Sequence, residues 1–236
     1  MTASSPTSPF LLGLRDGLPF IVVVGPFALL FGVVATEAGL QLSQTMAFST
    51  VVIAGASQFA ALQQIQIGAP TLMVVATALA VNLRMAMYSA ALTPWLGPAP
   101  FWQRALIAYA IVDQTYALSV ARFEQNPAWS IPQRVRYFFG TVTPILPLWV
   151  LLTAVGMLVG AAIPGWLALD FAVPICFLAI IGPMLRTPAH MAAALTSILL
   201  ALVFSGLPYG SGLLLAAVCA MIVGARVEIW AEARRT

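Results

Sequence analysis

Apolar residues dominate the chain from Leu18 to Ala225, and short clusters of Pro, Gly and charge are all that interrupt them. Runs of about 18 or more apolar residues read as membrane-spanning helices. Dividing the pattern at Pro/Gly turns and charges gives spans at 18–36, 46–67, 71–92, 103–121, 138–162, 170–186, 188–205 and 207–225. The expected fold is all-α, a polytopic membrane helix bundle of about eight transmembrane helices. The sixth span is short and carries Pro174 and Pro183, so seven is the alternative. Residues 1–236 read as a single integral membrane domain. A polar N-terminal tail (1–14), a connection at 122–137 and a tail at 226–236 are its soluble parts.

Arginine placement tests this count, because short cytoplasmic loops collect Lys and Arg. With eight spans, Arg15, Arg122, Arg134, Arg136, Arg186, Arg226, Arg234 and Arg235 all fall on one side, and both termini are expected in the cytoplasm. Arg104, at the expected outer start of span four, is the exception. The 122–137 connection, with Trp129 and Tyr137 beside its arginines, suits a headgroup-level segment and leaves four spans on each side. Two related halves, a common transporter plan, are one reading of that division. The small-xxx-small pairs Ala28/Gly32, Gly156/Gly160 and Ala220/Gly224 predict close helix contacts.

Composition narrows the class. Of 236 residues 61% are hydrophobic and 7% charged, against roughly 25% charged in soluble domains. Mean hydropathy is +1.00. The net charge of +3 comes with no basic cluster interleaved with aromatics, so nucleic acid is not an expected partner. Cys176 and Cys219 lie in apolar runs without metal-ligand spacing, and neither a metal nor a cofactor is expected. The Ser/Pro-rich N-terminus lacks the basic region of a cleaved signal.

Against this background the buried polar groups stand out. Span three, "ALAVNLRMAMYSAAL", carries Asn82 and Arg84; span four, "AYAIVDQTYAL", carries Asp113 and Gln114; span two carries Ser57, Gln58, Gln63, Gln64 and Gln66. An ionised side chain near the bilayer centre costs roughly 2.5–3.5 kcal/mol and persists by finding a partner inside the bundle. Counting along antiparallel spans three and four places Arg84 about 12 Å and Asp113 about 15 Å from the outer end, so a pair is expected. Helical phase sets Thr77, Arg84 and Tyr88 on one face and Tyr109, Asp113 and Tyr116 on another. The plain alternative is a structural ion pair that fixes register. Gln63, Gln64 and Gln66 read as headgroup polarity, whereas Ser57 and Gln58 follow Gly55, where unwound backbone would have to line a cavity. Asp16 and His190 read as solvated or interfacial flanks.

These motifs resemble the AzlC family. The likeness rests on "GASQFAAL", "NLRMAMYSAAL", "DQTYAL" and the opening "GLRDGLPFIVVVGPFALLFGVVATEAGL", and it extends from about Gly13 to Gly224. The resemblance implies the large subunit of a two-component exporter of branched-chain amino acids (valine, leucine, isoleucine and sometimes methionine). It implies proton coupling, an inner-membrane location and a small membrane partner of AzlD/YgaH type. Ser57, Gln58, Asn82 and Arg84 fall on its signature positions. In the family, span four more often reads Thr-Asp-Glu where this chain has Val112-Asp113-Gln114. A basic residue often follows Asn-Leu-Arg where this chain has Met85. The expected transport residues are Arg84, Asp113, Asn82, Ser57, Gln58, Tyr88 and Tyr116. A structural partner subunit for another small amphipathic solute is the alternative. An intramembrane enzyme would need paired nucleophilic or metal-binding groups that the sequence does not offer, so no enzyme is expected.

Overall fold

The structure, a computed structural model, describes residues 8–161, 185–208 and 211–234. Every regular element among them is helical: α1 (Pro9–Gly17), a 3-10 turn (Leu18–Phe20), α2 (Ile21–Glu37), α3 (Leu42–Val51), α4 (Gly55–Gln66), α5 (Thr71–Leu96), α6 (Phe101–Ala110), α7 (Asp113–Gln125), α8 (Ile131–Gly160), α9 (Pro188–Val203) and α10 (Ser211–Ala233). Four stretches, Pro9–Glu37, Thr71–Leu96, Ile131–Gly160 and Ser211–Ala233, are long and apolar enough to cross a membrane. The protein is an all-α membrane helix bundle. The expected sixth span lies almost wholly outside the described residues, with Pro174, Cys176 and Pro183.

The helices fall into two compact units, Met1–Phe59 with Val81–Ile163, and Ala60–Ala80 with Pro164–Thr236. In the first, α1 and α2 run parallel to α8 with backbone on backbone. A Cβ on Gly13 would overlap the Tyr137 carbonyl, and one on Gly140 would overlap that of Phe10. Gly32 and Gly156 repeat the arrangement against Thr153 and Leu29. Ala28 is fully buried on the same seam, so two of the three small-residue motifs expected to make close contacts meet each other. Lipid supplies no hydrophobic drive between helices, and close approach of this kind is what holds them. In the second unit Gly224 packs towards the Cβ of Ala193, joining α10 to α9.

Two stretches expected as continuous spans, 46–67 and 103–121, are instead pairs of half-helices. α3 and α4 are separated by Val52–Ala54, and α6 and α7 by Ile111–Val112. At both breaks the chain turns back. The Gln58 side-chain amide donates to the Phe48 carbonyl at 3.1 Å. Ten further residues of helix would carry the chain about 15 Å away, so α4 begins by reversing along α3. The second case follows from connectivity. α6 starts five residues after α5 ends, yet Asp113, just past the break, reaches Arg84, twelve residues before that end. α6 therefore runs back along α5, and α7 runs parallel to α5, with Tyr116 stacked on Tyr88 at 4.2 Å and Phe123 6.1 Å from Trp95.

Thr115 stabilises the second break. Its fully buried hydroxyl accepts from the Val112 N–H at 3.0 Å and is 3.2 Å from the Ala110 carbonyl, pairing backbone groups that a helix would otherwise pair. Backbone left open inside a membrane needs such partners. Arg134 holds the other end of the hairpin, donating to the carbonyls of Trp95 (3.3 Å) and Pro127 (2.8 Å) with its guanidinium over the Trp95 ring. Arg104 thus lies at the same end of this unit as Arg122 and Arg134, and the expected exception to the arginine rule disappears.

Candidate functional site

The hairpin α3–α4 starts beside the end of α2, and α6–α7 starts beside the beginning of α8, so the two enter the first unit from opposite ends. Their tips meet: the Tyr109 hydroxyl donates to the Thr50 carbonyl at 2.5 Å. Tyr109 does not share a continuous face with Asp113 and Tyr116, as helical phase suggested, because the break at Ile111–Val112 rotates it onto the other tip.

The charged group lies beside this junction. Arg84 Nη1 is 3.0 Å from Asp113 Oδ2, and the two side chains are 32% and 43% exposed. The Tyr88 hydroxyl, one turn further along α5, donates to Asp113 Oδ1 at 2.9 Å. Tyr116 stacks on Tyr88 with an interplanar angle of 11° and fixes the ring. The expected pair therefore forms, but between parallel helices rather than across antiparallel spans. Asp113 opens α7, where a carboxylate complements the positive end of the helix dipole, a contribution of roughly 0.3–1 kcal/mol. Arg84 Nε is buried with no partner among the described residues, and Asn82 Oδ1 is likewise unpaired. The site thus holds one carboxylate with both oxygens engaged and one guanidinium with donor capacity left over.

Four of the expected residues, Arg84, Asp113, Tyr88 and Tyr116, are brought together. Asn82 lies two residues before Arg84 on α5. Ser57 and Gln58 are fully buried in the first turn of α4. Their surroundings are the tip of the first hairpin, where Gln58 Oε1 has no partner and Phe27 lies 4.8 Å from Phe59. The Gln58 amide is turned to the Phe48 carbonyl of the same hairpin. In the second unit Gln63 and Gln66 are exposed as expected, while Gln64 is 2% exposed and departs from the headgroup reading.

A second charged cluster was not anticipated. Asp16, expected as a solvated flank, accepts from Arg122 Nη2 at 2.5 Å and from the Tyr137 hydroxyl at 2.7 Å, both on Oδ2. This group joins α1, α7 and α8. The only hint in the sequence was Asp16 next to Arg15; the partners lie 106 and 121 residues away.

The AzlC protein family matches residues 19–163, more than half of the chain. The inner membrane protein YgaZ of Escherichia coli K12 is 26% identical over 179 residues, covering 73% of this chain and 71% of that protein. An uncharacterized membrane protein of Archaeoglobus fulgidus is 28% identical over 208 residues, covering 86% of this chain and 88% of that protein. No solved structure matches significantly. The match takes in both hairpins and the Arg84–Asp113 pair, and the chain, a membrane subunit of transporter type, belongs to the AzlC family.

Proposed function

We propose that this protein is the large subunit of an inner-membrane exporter of branched-chain amino acids, proton-coupled and working with a small AzlD/YgaH-type membrane subunit. One observation carries the reading. Arg84 meets Asp113 through Nη1 at 3.0 Å, while its Nε is buried without a partner among the described residues. A planar guanidinium with spare donors suits a second, bidentate carboxylate. In this reading the substrate carboxylate docks on Arg84 and draws it from Asp113. Asp113, still held by Tyr88, then takes the α-ammonium or a proton.

Further support comes from the architecture. Broken helices that meet inside a bundle are where secondary transporters place substrate. The clustering of Arg104, Arg122 and Arg134 at one end of the first unit supports, by the arginine rule, a reading in which that end faces the cytoplasm. A purely structural pair is the competing account. It is favoured by α7 carrying Asp113 in its first turn and Arg122 in its last, as its dipole prefers.

The test is counterflow of labelled valine in proteoliposomes, with this chain alone and with its partner. Arg84→Lys should fold normally and lose at least nine-tenths of the flux. Wild-type flux from Arg84→Ala would sink the proposal.

A further inference from the structure

A cavity of about 420 Å³ opens beside the Asp16–Arg122–Tyr137 group, within the roughly 300–1,000 Å³ of small-molecule sites. Arg15, Asp16, Leu118, Ala121, Arg122 and Tyr137 are among its lining. The distribution of unused valence there is specific. Both hydrogen bonds to Asp16 fall on Oδ2, so Oδ1 has no partner among the described residues. Arg15 has no ion pair or hydrogen bond among them either. One wall of the cavity therefore offers a free carboxylate oxygen beside a free guanidinium, and another offers the aliphatic surface of Leu118 and Ala121.

We propose that this cavity is a second amino-acid site, in which the zwitterion is held before it reaches Arg84 and Asp113. The α-carboxylate pairs with Arg15, the α-ammonium with Asp16 Oδ1, and a small aliphatic side chain lies on Leu118 and Ala121. The inference rests on the proposed export function and adds a loading station to it. Its position fits that order. Arg122 is nine residues after Asp113 on α7, about 13.5 Å along the helix, and the cavity is at the arginine-rich end read as facing the cytoplasm. Asp16 and Arg122 already neutralise one another, so the uncompensated charge at the mouth is that of Arg15, which attracts the carboxylate end first.

A loading site acts on capture, and a central site acts on turnover. In counterflow with the partner subunit, Arg15→Gln should raise the half-saturating valine concentration about tenfold with maximal flux unchanged. Leu118→Trp, which fills the cavity, should do the same by volume rather than charge. Arg136→Gln removes an exposed arginine from the same end and should change neither parameter. The inference is overturned if wild-type protein transports valine and both cavity variants keep its half-saturation. Failure of wild-type protein to move any branched-chain amino acid would refute the proposed function instead. Equilibrium binding of labelled valine to nanodisc-held Arg84→Ala protein, whose central site is removed, then decides the cavity. Binding that Arg15→Gln abolishes upholds a zwitterion site, and valine binding independent of Arg15 overturns it, as does no binding. Arg15-dependent capture of phosphatidylglycerol in place of valine assigns the cavity to an anionic headgroup and overturns it equally.

Discussion

Exchanging the two charges, Arg84→Asp with Asp113→Arg, separates a structural pair from one that handles cargo. Breaking a fully buried ion pair from one side costs about 3–5 kcal/mol, and an exposed pair contributes about 0–1 kcal/mol. With side chains 32% and 43% exposed, Arg84→Ala should lie between those limits, at about 1–2 kcal/mol. Asp113→Ala should cost more. It also removes the acceptor of the Tyr88 hydroxyl, about 0.5–1.5 kcal/mol, and the favourable charge at the start of α7, about 0.3–1 kcal/mol. The exchanged protein restores attraction but sets a cation at the α7 N-terminus, so it should recover only part of the lost stability. Thermal unfolding in detergent, followed by size-exclusion fluorescence, ranks the four proteins. Counterflow then gives the decisive comparison, because cargo binding depends on which helix carries which sign. Transport by the exchanged protein should stay below a tenth of wild type. Flux near wild type would refute the cargo role and leave Arg84 and Asp113 as a structural tie.

Other expectations follow from the packing. Thr115→Val leaves the Val112 N–H and the Ala110 carbonyl without their shared partner, and should lower stability by about 1–3 kcal/mol, with Thr115→Ser close to wild type in the same unfolding assay. Gly32→Leu drives a side chain into the Thr153 backbone; at about 1–3 kcal/mol or more for overpacking, folded protein recovered from membranes should fall sharply. Tyr88→Phe keeps the stack on Tyr116 and loses only the bond to Asp113, so transport should drop several-fold while the unfolding temperature changes little. Tyr109→Phe removes the hydrogen bond to the Thr50 carbonyl between the hairpin tips, and should change maximal flux more than half-saturation.

Much of the site was legible because its chemistry is conspicuous in an apolar chain. Arg84 and Asp113 are costly wherever the membrane is thickest, so each predicts a partner, and few candidates exist. The pair was found although the assumed helix direction was wrong, since both residues are near mid-depth under either topology. Hydropathy could not reveal the hairpins. A turn through Val52–Ala54 or Ile111–Val112 is as apolar as a straight helix, and the side chains that stabilise it, Gln58 and Thr115, are ordinary polar residues until their partners are known. Asp16 was misread for a related reason. Next to Arg15 at the edge of an apolar run it has the pattern of a solvated flank, and nothing local points to Arg122 or Tyr137.

The sequence by itself determined that the chain is a helical membrane protein, that small residues such as Gly32 and Gly156 join its helices, and which two charges must be reconciled inside it. These follow from local composition and the cost of placing polar groups in lipid, quantities that add along the chain. Tertiary structure alone decided that two presumed spans fold back from opposite ends and meet at Tyr109 and Thr50. It also decided that α5 and α7 run parallel, and that Asp16 closes on Arg122 beside a cavity. Those outcomes depend on hydrogen bonds and close contacts between residues far apart in sequence, and no local pattern encodes them.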